Sequence, residues 1–368
     1  MTDLDEIAGV IEAELCRVQL PLLHPLRSAH GVELVRDLVL VRLGFADGTE
    51  GWGECSALAR PTYTSEYTAG AFAMLRDQLV PAVFAGEGGE LVGHPMARSA
   101  LVTAYLDATL RGRGQRLVDH LGSMHGRPAV RVPVAAVVSR NADLDLVLAA
   151  VAGHVDSGTA LVKMKVSPLP ADLEAVRAVR STWPSLAVAV DGNGTLDQRS
   201  LSMLDEIGLV YVEQPAPADA LLESAKFAKR LSCPVALDES ITSVATLELA
   251  LSIGAGSIIN VKPARLGGPH EAAEVARVAA DAGCGVFVGG MLETGLGRAT
   301  ALAVAALPSC NLPTDLGPSS RYVAVDLTDP IELDGEGLLP VPLGPGIGVA
   351  PHQDRLADVT IERVLLTR

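Results

Sequence analysis

From residue 132 the chain consists of short, almost wholly apolar runs separated by amphipathic stretches. The runs are VPVAAVVS (132–139), LVKMKV (161–166), LAVAVDGN (186–193), LVYVEQP (209–215), PVALDES (234–240), SIINVKP (257–263), GVFVGGM (285–291) and, more weakly, CNLPTDL (310–316). Strands apolar on both faces belong in a parallel sheet covered on both sides. Their alternation with helical stretches predicts βα units, and seven or eight such units make a (β/α)8 barrel. A doubly wound open sheet is the competing arrangement. It usually carries a glycine-rich loop after its first strand, whereas here VVSRNADLD follows, without GxGxxG.

The pattern before residue 132 is different. Residues 11–56 read as antiparallel strand, with LVLVRLGF and EGWGEC flanking Asp47-Gly48, a pair suited to a tight hairpin turn. Residues 65–85 and 95–113 have helical periodicity, each with a proline near one end. Beyond residue 320 come RYVAVDLT, a Gly/Pro-rich stretch and a final strand-like VTIERVLL. These features predict an α+β capping domain at 1–125, a (β/α) barrel at 126–320, and a tail at 321–368 that packs back on the cap.

The 368 residues are 49% apolar and 20% charged, ample for a core. A net charge of −15 argues against nucleic acid or an anionic membrane as partner. The N-terminus is acidic where a secretory signal needs basic residues, and LVLVRLGF is interrupted by Arg42. Five scattered cysteines without zinc-like spacing suit a reduced, cytoplasmic protein. Of the 29 basic residues only five are lysine: Lys163, Lys165, Lys226, Lys229 and Lys262.

Lys163 and Lys165, two apart in one strand, should both face the barrel interior. There, burial and mutual repulsion would favour the neutral amine, as a general base requires. The alternative is a strand turned over, with both lysines outside. Asp191, Glu213 and Asp238 end the next three strands, 22 and 25 residues apart, and so converge at the barrel mouth. Three such carboxylates need a cation, and an all-oxygen set suits Mg²⁺ or Mn²⁺. Lys262, one strand further on, lies across the ring from the lysine pair. Opposed lysines flanking a metal fit removal of a proton α to a carboxylate.

This order, KxK, then Asp, Glu and Asp at strand ends, then VKP, resembles the muconate-lactonizing branch of the enolase superfamily over nearly the whole chain. GGMLETGLGRA (289–299) and residues 311–351 look most like its group of o-succinylbenzoate synthases and N-succinylamino acid racemases. The resemblance implies Asp191, Glu213 and Asp238 as metal ligands, Lys165 and Lys262 as acid/base residues on opposite faces, and Lys163 tuning Lys165. It also implies a succinyl-bearing carboxylate substrate and a homo-oligomer. The segment Gly289, Gly290 and Met291 would hold the succinyl end, although a plain glycine turn explains it equally. Arg265 resembles an arginine of racemising members, with a loop salt bridge as the competing role. PLRSAHG (25–31) resembles a mobile loop closing over the site, with Arg27 a substrate contact. Asn193 and Glu239 would support the metal ligands. Relatives often have a hydroxyl residue where this chain has Val137, and Ser139 could serve instead. A dipeptide epimerase or cycloisomerase of the same branch is the alternative. A Schiff-base aldolase is a remote one that leaves the three acids unexplained.

Overall fold

A computed structural model describes residues 4–28, 31–88 and 91–368. After a 3-10 turn at Leu4–Glu6 come two long antiparallel strands, β1 (Val10–Ser28) and β2 (Gly31–Phe45), and a short one, β3 (Glu50–Cys55), with the turn at Asp47-Gly48 joining the last two. Helices α1 (Thr68–Met74) and α2 (Val80–Ala85) are joined by one π-helical turn, Leu75–Leu79. Helix α3 (Pro95–Gly112) follows, and then α4 (Leu117–His125).

GWGEC shows why α3 can lie directly on β3. A Cβ at Gly51 would stand 2.1 Å from the Ala104 carbonyl oxygen, and one at Gly53 would stand 1.9 Å from that of Ala100. Glycines on the strand and alanines on the helix bring the two backbones together. Helix α3 buries residues almost all round its circumference, as a helix of small apolar residues should.

The second unit is a seven-stranded parallel sheet in sequential order. Its first strands are β5 (Ala136–Val138), β6 (Leu161–Lys165), β7 (Ala187–Asp191) and β8 (Val212–Glu213). β9 (Val235–Leu237), β10 (Ile258–Val261) and β11 (Gly285–Val288) complete it. Helices α5 (Leu144–Asp156), α6 (Pro170–Thr182), α7 (Gln198–Asp205), α8 (Leu221–Ala228), α9 (Val244–Ser252), α10 (Pro263–Leu266), α11 (Pro269–Asp281) and α12 (Gly295–Ala305) intervene or follow. The segment at 312–315 closes the ring. The amides of Leu312 and Asp315 donate to Val286 and Val288 of β11, while Thr314 exchanges bonds with Pro133 and Ala135. The result is a (β/α)8-type barrel.

One predicted strand is divided. Within 132–139, Arg131–Pro133 (β4) pairs antiparallel with Leu338–Pro340 (β12), and only Ala136–Val138 enters the barrel sheet. Pro133 has no N–H to continue a ladder, so the chain changes partner there. After α13 (Gln353–Val359), β13 (Thr360–Thr367) returns to pair with β1 as the edge of the N-terminal sheet. Among the described residues no helix is long and apolar enough to cross a membrane, and the five cysteines are free.

Candidate active site

Strand register determines which side chains meet at the barrel mouth. Lys165 lies opposite Asp191, and Asp191 opposite Glu213, on consecutive strands. Asp238 directly follows β9, and Lys262 directly follows β10. Four strand positions separate β6 from β10 whichever way the closed ring is counted, so the lysine pair and Lys262 stand on opposite sides. Lys163, Lys165, Asp191, Asp238 and Lys262 line one cavity of about 980 Å³, and Glu213 is fully buried beside them.

Each lysine is met by a carboxylate. Lys163 Nζ donates to Glu213 at 2.5 Å and also to Asp315. Lys165 Nζ donates to Asp191 at 2.8 Å and to Asn193 Oδ1 at 3.2 Å. Lys262 Nζ donates to Asp238 at 2.9 Å and sits over the Tyr63 ring, 4.7 Å from its centroid. These pairs change the expected protonation of two lysines. Burial does work to lower the Lys163 ammonium, but Asp315 and Glu213 outweigh it and hold the group well above its ordinary value. Lys262 behaves likewise, chiefly through Asp238. The sequence predicts that repulsion between the two neighbouring lysines favours the neutral amine; in the fold, Glu213 and Asp315 reach Lys163 and keep it charged.

The acids divide as well. Burial and the carboxylates around it push Glu213 up to about 8, against the pull of Lys163. For Asp191 burial is more than offset by Lys165 and Lys163, and for Asp238 by Lys262 and Arg265, so both are lowered. Among the described residues no three His, Cys, Asp or Glu side chains are clustered closely enough to clasp an ion as they stand; lysine ammonium groups already sit on all three strand-end acids. The donor set nonetheless fits a hard divalent cation. The three carboxylates are at most 3% exposed, lie on adjacent strands, and Glu213 is destabilised as an anion by the other two.

Several further residues belong to this arrangement. Asp315 accepts from Lys163 through one oxygen and from the Gly290 amide, at 2.7 Å, through the other. It ends the weak eighth run, so following the strand-end positions three units past Asp238 to the last run would have found it. Asn260 donates to Glu213 at 2.6 Å. Tyr63, from the N-terminal unit, donates to Asp238 at 3.0 Å, and nothing in the local sequence marks it. Arg265, 1% exposed, bonds Asp238 and Tyr63 together with the carbonyls of Ile241 (2.9 Å) and Asn260 (2.8 Å). It therefore shares a carboxylate with Lys262. Asn193 connects Lys165, Asp191 and Glu239.

Of the remaining candidates, Gly290 and Met291 line the cavity and Gly289 lies just behind it. Gly289 is required by packing, because a Cβ there would stand 2.3 Å from Asn260 Oδ1 and 2.7 Å from Lys262 Cε. The backbone amides of this segment are engaged within the protein. Gly289 donates to Val261, Gly290 to Asp315, and Met291 to Glu293 at 2.6 Å. Val137 lies beside Lys163 in register and lines the cavity, as does Ser139. Arg27 lines it from β1 and is exposed; Ala29 and His30 of PLRSAHG lie outside the described residues.

Residues 146–355 match the family model described as "Enolase C-terminal domain-like". An N-succinylamino acid racemase of Amycolatopsis sp. is 41% identical across 98% of this chain and 99% of its own. The o-succinylbenzoate synthase of Bacillus subtilis is 32% identical across 92% of this chain and 94% of its own. A solved enolase-superfamily structure from Listeria innocua superposes with a TM-score of 0.88 at 30% identity, covering 97% of this chain and 99% of that one. With opposed lysines and strand-end acids on this barrel, and relatives alike from end to end, the chain belongs to the enolase superfamily, in its muconate-lactonizing branch.

Proposed function

We propose that this enzyme removes a proton from the carbon α to a substrate carboxylate, passing through an enediolate, as an N-succinylamino acid racemase, an o-succinylbenzoate synthase, or both. The observation that carries this reading is the placement of Lys165 and Lys262 across one cavity, each beside a strand-end carboxylate. Enolase-superfamily enzymes are divalent-metal dependent. Asp191, Glu213 and Asp238 would hold the ion, Mg²⁺ or Mn²⁺, whose charge favours the enediolate over the carboxylate.

The chain's own residues supply the proton transfers. For racemisation, the free amine of one lysine takes the α-proton from one face, and the ammonium of the other returns a proton to the opposite face. In the synthase reaction, Lys165 removes the α-proton and delivers a proton to the departing hydroxyl, while Lys262 remains a cation beside the developing charge. Lys163, bound to Glu213 and Asp315, stays charged and fixes the electrostatics of the Lys165 side. Free cysteines suit a reducing cytoplasm.

Incubation in heavy water should place deuterium at Cα of N-succinyl amino acids. The ratio of kcat/KM between those substrates and the cyclohexadiene precursor then apportions the two activities. Exhaustive chelation should abolish both, and activity unchanged by chelation would overturn the proposal.

A further inference from the structure

A dianionic substrate such as an N-succinyl amino acid brings two carboxylates, and the reacting one belongs at the lysines. The other needs a partner. The amides of Gly289, Gly290 and Met291 are already committed to Val261, Asp315 and Glu293. A substrate carboxylate arriving there would have to displace two protein carboxylates of its own charge.

The cavity offers another partner. Lys163, Lys165 and Lys262 each hold a carboxylate, Arg140 holds Asp172 at 2.7 Å, and Arg298 is bonded to Ser319 and the Glu293 carbonyl. Arg321 also lines the cavity, and its Nη1 is buried without a hydrogen-bond partner. Among the described residues no carboxylate pairs with it. Arg321 adjoins Tyr322 in the chain; the Tyr322 ring lies 5.5 Å from the Arg298 guanidinium, which is bonded to the Glu293 carbonyl, so this stretch of the wall meets the end of the 289–293 segment. His154, beside it, is pushed down to about 4 by burial and by Arg321; it is neutral at physiological pH and does not compete for an anion. A buried guanidinium nitrogen without an acceptor is costly, and a carboxylate is the acceptor its fork geometry suits.

We propose that Arg321 receives the acyl-tail carboxylate of the substrate and thereby sets the preference for succinyl over uncharged acyl groups. This rests on the proposed α-proton abstraction. Arg321 is then a specificity residue, acting mainly on binding because the tail carboxylate does not change charge during the reaction.

The test compares an N-succinyl amino acid with its neutral succinamoyl isostere, carrying the same side chain, by deuterium exchange at Cα. The wild-type enzyme should prefer the succinyl compound. Arg321→Gln should raise KM for it by about ten- to a hundredfold, leave kcat within a few-fold, and leave the isostere's kcat/KM unchanged; Arg321→Lys should recover part of the preference. Arg27→Gln, at the other cavity arginine without a partner among the described residues, should leave the preference intact. A preference retained in Arg321→Gln, or one that collapses in Arg27→Gln instead, overturns the assignment. If Arg321→Gln does not fold, Arg321→Lys decides, and an unchanged KM for the succinyl substrate there counts against Arg321. No exchange by the wild-type enzyme on any acylamino acid or on the cyclohexadiene substrate would instead sink the underlying function.

Discussion

Tyr63 joins more of the candidate site than any single sequence motif indicates. Its hydroxyl bridges Asp238 and Arg265, and its ring lies beneath the Lys262 ammonium. Tyr63→Phe keeps the ring and removes the bridge, so kcat should fall about tenfold, roughly the worth of one hydrogen bond to a charged group, with the melting temperature little changed. Tyr63→Leu also loses the cation–π contact and should fall further. A Tyr63→Phe enzyme with unaltered kcat would show that the bridge is incidental. Substitution of either opposed lysine tests the chemistry itself. Lys165→Ala and Lys262→Ala should each slow racemisation of an N-succinyl amino acid by about 10²–10⁴-fold, measured by polarimetry on samples whose circular dichroism matches the wild type. At this scale the sequence was informative where chemistry repeats with the barrel period, as in Asp191, Glu213 and Asp238. It was silent on Tyr63, which reaches the site from another part of the chain, and wrong about protonation at Lys163. The carboxylate that settles that charge, Asp315, is 152 residues away.

Elements follow the pattern of apolar positions closely, and their exceptions have local causes. Pro133 ends one ladder and lets the chain start another, so an apparently continuous strand serves two sheets. The eighth stave is legible only weakly because its regular pairing is limited to a few bonds on each side. In GWGEC the alternation suggests a strand, but the need for glycine is visible only once α3 is in place. Gly53→Ala should therefore cost about 2–3 kcal/mol, since backbone on both elements must move to admit the methyl group; urea unfolding would measure it. Gly48→Ala, in open space but at φ +82°, should lose less, as backbone strain alone.

For the whole molecule, the two units are held together by buried charge as well as by apolar contact. Glu54 of β3 accepts from the amides of Thr294 and Gly297, 3.2 Å each at the N-terminus of α12. Arg36 of β2 reaches the Met291 carbonyl at 3.1 Å. Burial pushes Glu54 up to about 7, assisted by Glu293 and opposed by Thr294. A carboxyl raised in the folded state contributes stability that is complete below its ordinary value of 4.5 and is lost as pH rises through about 7. Asp191 and Asp238, lowered in the fold, act with the opposite sign at acid pH, so the useful quantity is a difference. The melting temperature of wild type minus that of Glu54→Gln should decline between pH 4.5 and 7, and a flat difference would show that Glu54 titrates normally. None of this interface is evident from the chain alone, because GWGEC and LETGLGR meet only after both units have formed.

The pairing of β13 with β1 bears on the order in which these parts can form during synthesis. Residues 360–367 emerge from the ribosome only after every barrel strand has done so, yet they form the outer edge of the sheet begun at residue 10. Until then the N-terminal sheet has an open edge at β1 and is exposed to mispairing. The barrel can close first, and the enzyme's cap is completed last, by a strand that delivers no catalytic group.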